Sequence, residues 1–132
     1  MRFLIVIISI LNGFYSYSQN QKTASFERGQ LLYEDLCLRC HMPNGKGVPG
    51  AFPPLANSDY LNDIAATIRI IKYGGIKEDL VVNGVTYNGY MESQGLSDDE
   101  IADVANYVLN SWGNSSKLVI DEKEVSKIKS ND

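Results

Sequence analysis

Cys37, Leu38, Arg39, Cys40 and His41 put two thiols three positions apart, with an imidazole directly after the second. On a helix, residues three apart share a face. Two sulfurs so placed can add as thioethers to the two vinyl groups of a haem, and the next side chain then offers a ring nitrogen to iron. That is the attachment pattern of a c-type haem. The pentapeptide alone arises by chance, but here its context is restrictive. Cys37 and Cys40 are the only cysteines and His41 is the only histidine, so no other imidazole is available to the iron. A zinc site needs about four ligands, and these residues supply three. A thioredoxin-type dithiol would sit among alternating strands and helices, a pattern that is absent.

What fills the other axial position separates an electron carrier from a catalyst. Of the three methionines, Met1 would leave with an export signal, and Met42 adjoins His41 and cannot reach the opposite haem face. Elimination leaves Met91, whose alternative fate is the ordinary one of a core methionine. His/Met ligation favours Fe(II), raises the reduction potential and leaves no open site for substrate. A haem with an open face would instead suit a catalyst or sensor that binds peroxide, CO or NO. An iron-bound histidine normally donates its second ring N–H to an acceptor. The Phe52-Pro53-Pro54-Leu55 segment, held extended by consecutive prolines, either supplies that acceptor or is a stiff surface turn.

Export agrees with this chemistry. Met1-Arg2 is followed by an apolar run from Phe3 to Phe14 and by Ser16-Tyr17-Ser18, which carries small residues where a signal peptidase looks for them. We expect a signal peptide over residues 1–18, cleavage after Ser18, a periplasmic location and no membrane anchor. The apolar run is about a dozen residues, short of the roughly twenty that span a bilayer as a helix. The first cysteine, Cys37, lies far from any point of lipid attachment. The chain carries 12 Lys+Arg against 16 Asp+Glu, and loss of Arg2 with the signal leaves a net charge of −5. So acidic a chain is a poor ligand for nucleic acid or an anionic membrane.

The elements that must hold these groups follow from periodicity and punctuation. Residues 19–24 are expected to be a flexible leader, and a helix from about Ser25, with Phe26, Gly29, Tyr33 and Leu36 on one face, runs into the cysteines. Residues 42–57, rich in glycine and proline, form a loop. A helix from about Asp59 to Tyr73, restarted by an Asn62 cap, ends at Gly74-Gly75. Asn83-Gly84 between valines predicts a hairpin. Ser97 and Glu100 form a capping box, with Leu96 placed to staple onto Ile101, for a helix whose face runs from Ile101 to Trp112 and which Gly113 stops. Lys117 to Ile120 reads as a short strand. Asp121 and Glu124 cap a last helix to about Lys129.

Gly29, Tyr33 and Cys37 in Gly-xxx-aromatic-xxx-Cys rhythm, Pro53-x-Leu55, the Asn-Gly hairpin, a methionine and then Leu96-Ser97-Asp98-Asp99-Glu100-Ile101 make residues 25–129 resemble small class I c-type cytochromes, bacterial periplasmic monohaem members above all. The resemblance implies an all-α cytochrome c fold over residues 25–132. Three to five helices would surround one covalently bound haem c, with a hairpin-like segment near 81–90 and residues 113–132 as a C-terminal extension. It implies Cys37 and Cys40 as haem attachment residues, His41 and Met91 as axial ligands of iron, and the Pro53 carbonyl as acceptor for His41. Gly29 would let the first helix cross the capped helix against Val104 and Tyr107. The implied activity is carriage of single electrons, with no catalytic residues, between partners such as a terminal oxidase, a nitrite reductase or a dehydrogenase. Docking in the family occurs at the haem edge. Here that implies an apolar set of Leu38, Met42, Pro43, Tyr90 and Met91, rimmed by Glu34, Asp35, Glu92 and Asp98 to Glu100 and suited to a basic partner. One departure stands out: Glu92 occupies the position where the family usually has a proline after the ligand methionine.

Overall fold

The computed structural model describes residues 20–75 and 79–130. The expected signal peptide at 1–18 lies outside the described residues, as do residues 76–78. Helix α1 is continuous through residues 20–41. Residues 20–24, expected in a flexible leader, already belong to it. Tertiary contacts account for the extra turn, because the Lys22 ammonium donates to the Ser116 carbonyl at 3.4 Å and Ser25 is buried. Helix α2 spans Ile64–Tyr73 and follows a 3-10 turn at Asp59–Asn62. Strands β1 (Leu80–Val82) and β2 (Val85–Tyr87) form an antiparallel hairpin. Helix α3 spans Asp98–Val108 and helix α4 spans Glu122–Lys127. The fold is the expected mainly helical one, with one short hairpin.

The core lies where α1 crosses α3. A Cβ on Gly29 would overlap the Asp103 carbonyl oxygen and stand 2.9 Å from Tyr107 Cβ, so the helices touch backbone to backbone. The expected contact at Val104 is one residue out, and Asp103 takes its place. Beside the crossing, Asp103 receives the Ser25 hydroxyl at 2.6 Å and Arg28 through two nitrogens, at 2.5 and 2.8 Å. That hydrogen-bonded carboxylate raises the Arg28 pKa. Asn106 donates to the Ser25 hydroxyl at 2.9 Å and exchanges two bonds with the Ile120 backbone. These bonds tie α1, α3 and the C-terminal segment into one polar knot. It leaves no buried side-chain donor or acceptor unpaired among the described residues. Phe26, Tyr33, Tyr107 and Trp112 continue the contact as tilted and edge-on ring pairs, 4.8 to 5.4 Å between centroids.

Local signals set most element ends, with four corrections. Asp63, not Asn62, caps α2, accepting from the Ala66 N–H at 2.9 Å, because Asn62 is spent in the 3-10 turn. Helix α3 carries the expected capping box, but it stops at Val108 rather than running to Trp112. Ser111 Oγ bonds back to the Tyr107 carbonyl at 2.6 Å. Trp112 turns out at φ 50°, and its indole N–H reaches the Pro43 carbonyl at 3.1 Å. Residues 117–120 form no strand, since the Ile120 backbone pairs with Asn106 instead of a neighbouring strand. Helix α4 has its capping box and ends at Lys127, short of Lys129. The hairpin turns at Asn83 (φ 50°) and Gly84 (φ 77°), the left-handed pair that a two-residue hairpin needs.

The crossing makes a direct prediction. Gly29→Ala should lower unfolding stability by about 1–3 kcal/mol, the usual cost of forcing a methyl into filled space, as read from the denaturant midpoint. An unchanged midpoint would show that the helices are not held at backbone contact.

Candidate functional site

The last two turns of α1 carry the cysteines and the histidine, and they are not regular helix. Tyr33–Cys37 is π-helical, with the Leu38 N–H donating to the Tyr33 carbonyl five residues back. A single ordinary turn, Leu38–His41, follows. Such insertions into a helix recur at functional sites because they re-aim the side chains beyond them. The chain then leaves the helix abruptly at Met42, at φ 64°. Tyr33, only 1% exposed, donates its hydroxyl to the Met42 carbonyl at 2.7 Å and fixes that exit. Burial pushes the Tyr33 pKa up, which favours the protonated, donating form of its hydroxyl.

The loop beyond closes back on the histidine. His41 Nδ1 stands 3.0 Å from the Pro53 carbonyl. A carbonyl only accepts, so Nδ1 carries the proton and Nε2 keeps its lone pair. Burial lowers the His41 pKa, with the Pro53 bond opposing it in part, which favours the neutral ring that a metal ligand requires. Four contacts hold Pro53 in place. The Gly47 N–H donates to the His41 carbonyl at 3.0 Å, and the Leu55 N–H donates to the Gly45 carbonyl at 2.7 Å. Asn114 donates to the Leu55 carbonyl at 2.8 Å. Gly47, at φ 61°, packs so closely that a Cβ there would overlap the Phe52 carbonyl oxygen and lie 2.7 Å from that of Pro53.

Cys37, Cys40, His41 and Pro53 line a cavity of about 520 Å³, and Met91 reaches it from the far side of the sequence. The remaining wall is largely apolar, with Leu61, Ile70, Ile71 and Val104 from the helices and Val82 and Tyr87 from the hairpin. Both thiols are free. Burial, and secondarily the neighbouring Cys40, pushes the Cys37 thiol up to about 11, as a dry wall would. Large apolar volume, two thiols on one side, a neutral imidazole with a free lone pair and a thioether fit the demands of a covalently attached haem. Zinc is a poor fit: among the described residues no three His, Cys, Asp or Glu side chains are grouped to hold a metal ion.

The rim differs from expectation. Leu38, Met42 and Pro43 do not line the cavity. Leu38 packs against the core instead, and the Pro43 carbonyl is engaged by Trp112. Phe52 and Tyr90, respectively 38% and 65% exposed, are the exposed aromatic rings among the lining residues. The acidic set is thinner than the sequence suggests. Asp98 pairs with Lys72 at 2.8 Å, and Glu100 is committed to the Ser97 capping box. Glu34, Asp35, Glu92 and Asp99 remain exposed. The sequence reading missed Gly47, Asn114 and the Tyr33 hydroxyl. Only glycine spacing hinted at the first, and nothing local marked the other two. Among the described residues, no helix is long and apolar enough to cross a membrane.

Comparison with known proteins agrees with this geometry. The chain is 40% identical over 90 residues to cytochrome c-552 of Thermus thermophilus, covering 62% of this chain and 66% of that protein. It is 30% identical over 105 residues to the cytochrome c subunit of a quinone alcohol dehydrogenase from Gluconobacter oxydans, covering 76% of this chain and 22% of the subunit. It is 29% identical over 108 residues to the cytochrome c subunit of gluconate 2-dehydrogenase from Pantoea cypripedii, covering 78% of this chain and 24% of that subunit. The chain thus spans at most about two thirds of the length of these relatives. Residues 26–112 match the cytochrome c family, whose domain carries a covalently bound haem c, and this chain belongs to it.

Proposed function

We propose that this protein carries single electrons as an exported, periplasmic monohaem cytochrome c. Cys37 and Cys40 would hold the haem, with His41 and Met91 as axial ligands. The observation that carries this is the His41 ring, tied to the Pro53 carbonyl at 3.0 Å, in the apolar cavity that Cys37, Cys40 and Met91 also line. A bound haem supplies the one-electron couple. The residues around it do the rest. Pro53 fixes the imidazole plane and raises its basicity. The apolar wall would keep water away, and the Met91 thioether as a ligand would favour the reduced form. With His41 and Met91 both bound to iron, no coordination site would stay open for peroxide, CO or NO. That supports a carrier over the catalyst or sensor reading.

Cytochrome subunits of two dehydrogenases among the relatives support a dehydrogenase as redox partner. The exposed Phe52 and Tyr90 beside the cavity, with Glu92 next to Met91, support docking there by a partner of basic surface. An apolar centre with a charged edge suits brief redox contacts. The apolar run at 3–14 and the compartment in which such thiols are joined to haem support export.

Four measurements test these parts. Denatured protein on a gel should keep its haem and carry the added mass of one; haem that extracts into acidified organic solvent would sink the covalent assignment. Cys40→Ala should yield little stable holoprotein. Met91→Ala should abolish the weak far-red sulfur-to-iron charge-transfer band of the oxidised protein and lower its potential; a band and potential that persist would exclude Met91 as ligand. Finally, the bimolecular rate with a basic redox partner should fall as ionic strength passes roughly 0.1 M, where the screening length is about 10 Å. Glu92→Lys should flatten that dependence. A rate indifferent to both leaves no role for charge.

A further inference from the structure

The Met91 loop carries no stiffening proline of its own. Residues 88–97 have no regular structure, and Glu92 follows Met91 where a proline would restrict the backbone. We propose that the end of α2, Lys72 to Gly75, acts as a clamp that positions Met91 at the cavity wall in place of a proline. This rests on the reading of Met91 as an axial ligand.

Three contacts make the clamp. The Gly75 N–H donates to the Met91 carbonyl at 2.7 Å. The Ser93 hydroxyl donates to the Lys72 carbonyl at 2.8 Å, satisfying one of the carbonyls a helix leaves free at its C-terminus. Between these bonds, Gly74 sits at φ 65°, ψ −164°, a region open essentially to glycine alone. A Cβ there would stand 2.5 Å from the Met91 carbonyl oxygen, 2.6 Å from the Ser93 nitrogen and 3.0 Å from the Glu92 carbonyl carbon. Backbone therefore lies against backbone along all three residues from Met91 to Ser93.

The fixed jaw is itself anchored. The Lys72 ammonium pairs with Asp98 at 2.8 Å, its side chain only 17% exposed, and also reaches the Val125 carbonyl at 3.2 Å. One lysine thus fastens the end of α2 to the first turn of α3 and to α4. The moving jaw is otherwise lightly held: Glu92 and Ser93 are exposed, and their further bonds among the described residues are local ones, from the Gln94 amide to the Glu92 carbonyl at 2.8 Å and from the Gly95 N–H to the Ser93 hydroxyl at 3.5 Å. Loosening the clamp should free the thioether without unfolding the protein.

The test uses oxidised holoprotein and free imidazole, which competes for the position Met91 would hold. Ser93→Ala should bind imidazole about 2- to 10-fold more tightly, the range for one lost neutral hydrogen bond, and Ser93→Thr should restore the original affinity. Gly74→Ala should have a larger effect and weaken the far-red band. Ser126→Ala is the control, since it removes a similar exposed hydroxyl-to-carbonyl bond, to Lys123 at 2.8 Å, away from the loop. It should match Ser93→Ala in denaturant midpoint and leave imidazole affinity unchanged. If the far-red band is present but Ser93→Ala binds imidazole no better than the unaltered protein, or no better than Ser126→Ala, the clamp is wrong and the Met91 reading stands. If the unaltered protein shows no such band, the Met91 reading falls, and the clamp's role falls with it.

Discussion

Backbone contact at Gly29 sets the frame for the rest of this molecule. Because no side chain separates α1 from α3, the two helices approach until the Asp103 carbonyl and Tyr107 fill the space a Cβ would need. That approach brings Asp103 within reach of Ser25 and Arg28, and it lets the rings of Tyr33, Tyr107 and Trp112 meet. Tyr33 is one turn beyond the crossing and starts the π-helical stretch that ends at Cys37. The direction in which the thiols and the imidazole leave α1 is therefore fixed by a contact two turns earlier.

Around that frame the site is assembled from backbone carbonyls more than from charged groups. Pro53 receives His41, Met42 receives Tyr33, Pro43 receives Trp112 and Leu55 receives Asn114. Each such bond is modest, about 0.5–1.5 kcal/mol net, but each removes freedom from a loop that has little regular structure. The result is a preformed wall on the histidine side. Under the proposed ligation this would hold His41 in one orientation, so that it need not reorganise when the charge changes.

The methionine side is built differently. Its loop lacks proline and has no element of its own, and it borrows order from the end of α2. The two sides thus differ in how they are held: His41 by a densely cross-linked loop, Met91 by one helix terminus fastened through Lys72.

Local physics made much of this legible in the residues alone. Whereas the role of Gly29 was implied only by the family resemblance, the Cys37–His41 spacing, the capping boxes at Ser97 and Asp121 and the Asn83-Gly84 turn each depend on neighbours a few residues away. Each was therefore written into the sequence. What the tertiary structure alone decided involves partners far apart in the chain. Asn106, an unremarkable residue within a helix, takes the Ile120 backbone away from any strand. Trp112 leaves α3 to bond Pro43, Asp98 is drawn from the acidic rim by Lys72, and Leu38 turns to the core while Phe52 comes to the cavity. A hydrogen bond or an ion pair across fifty residues has no period and no motif. Its energy depends on where the chain has brought both ends, and only the folded molecule settles that.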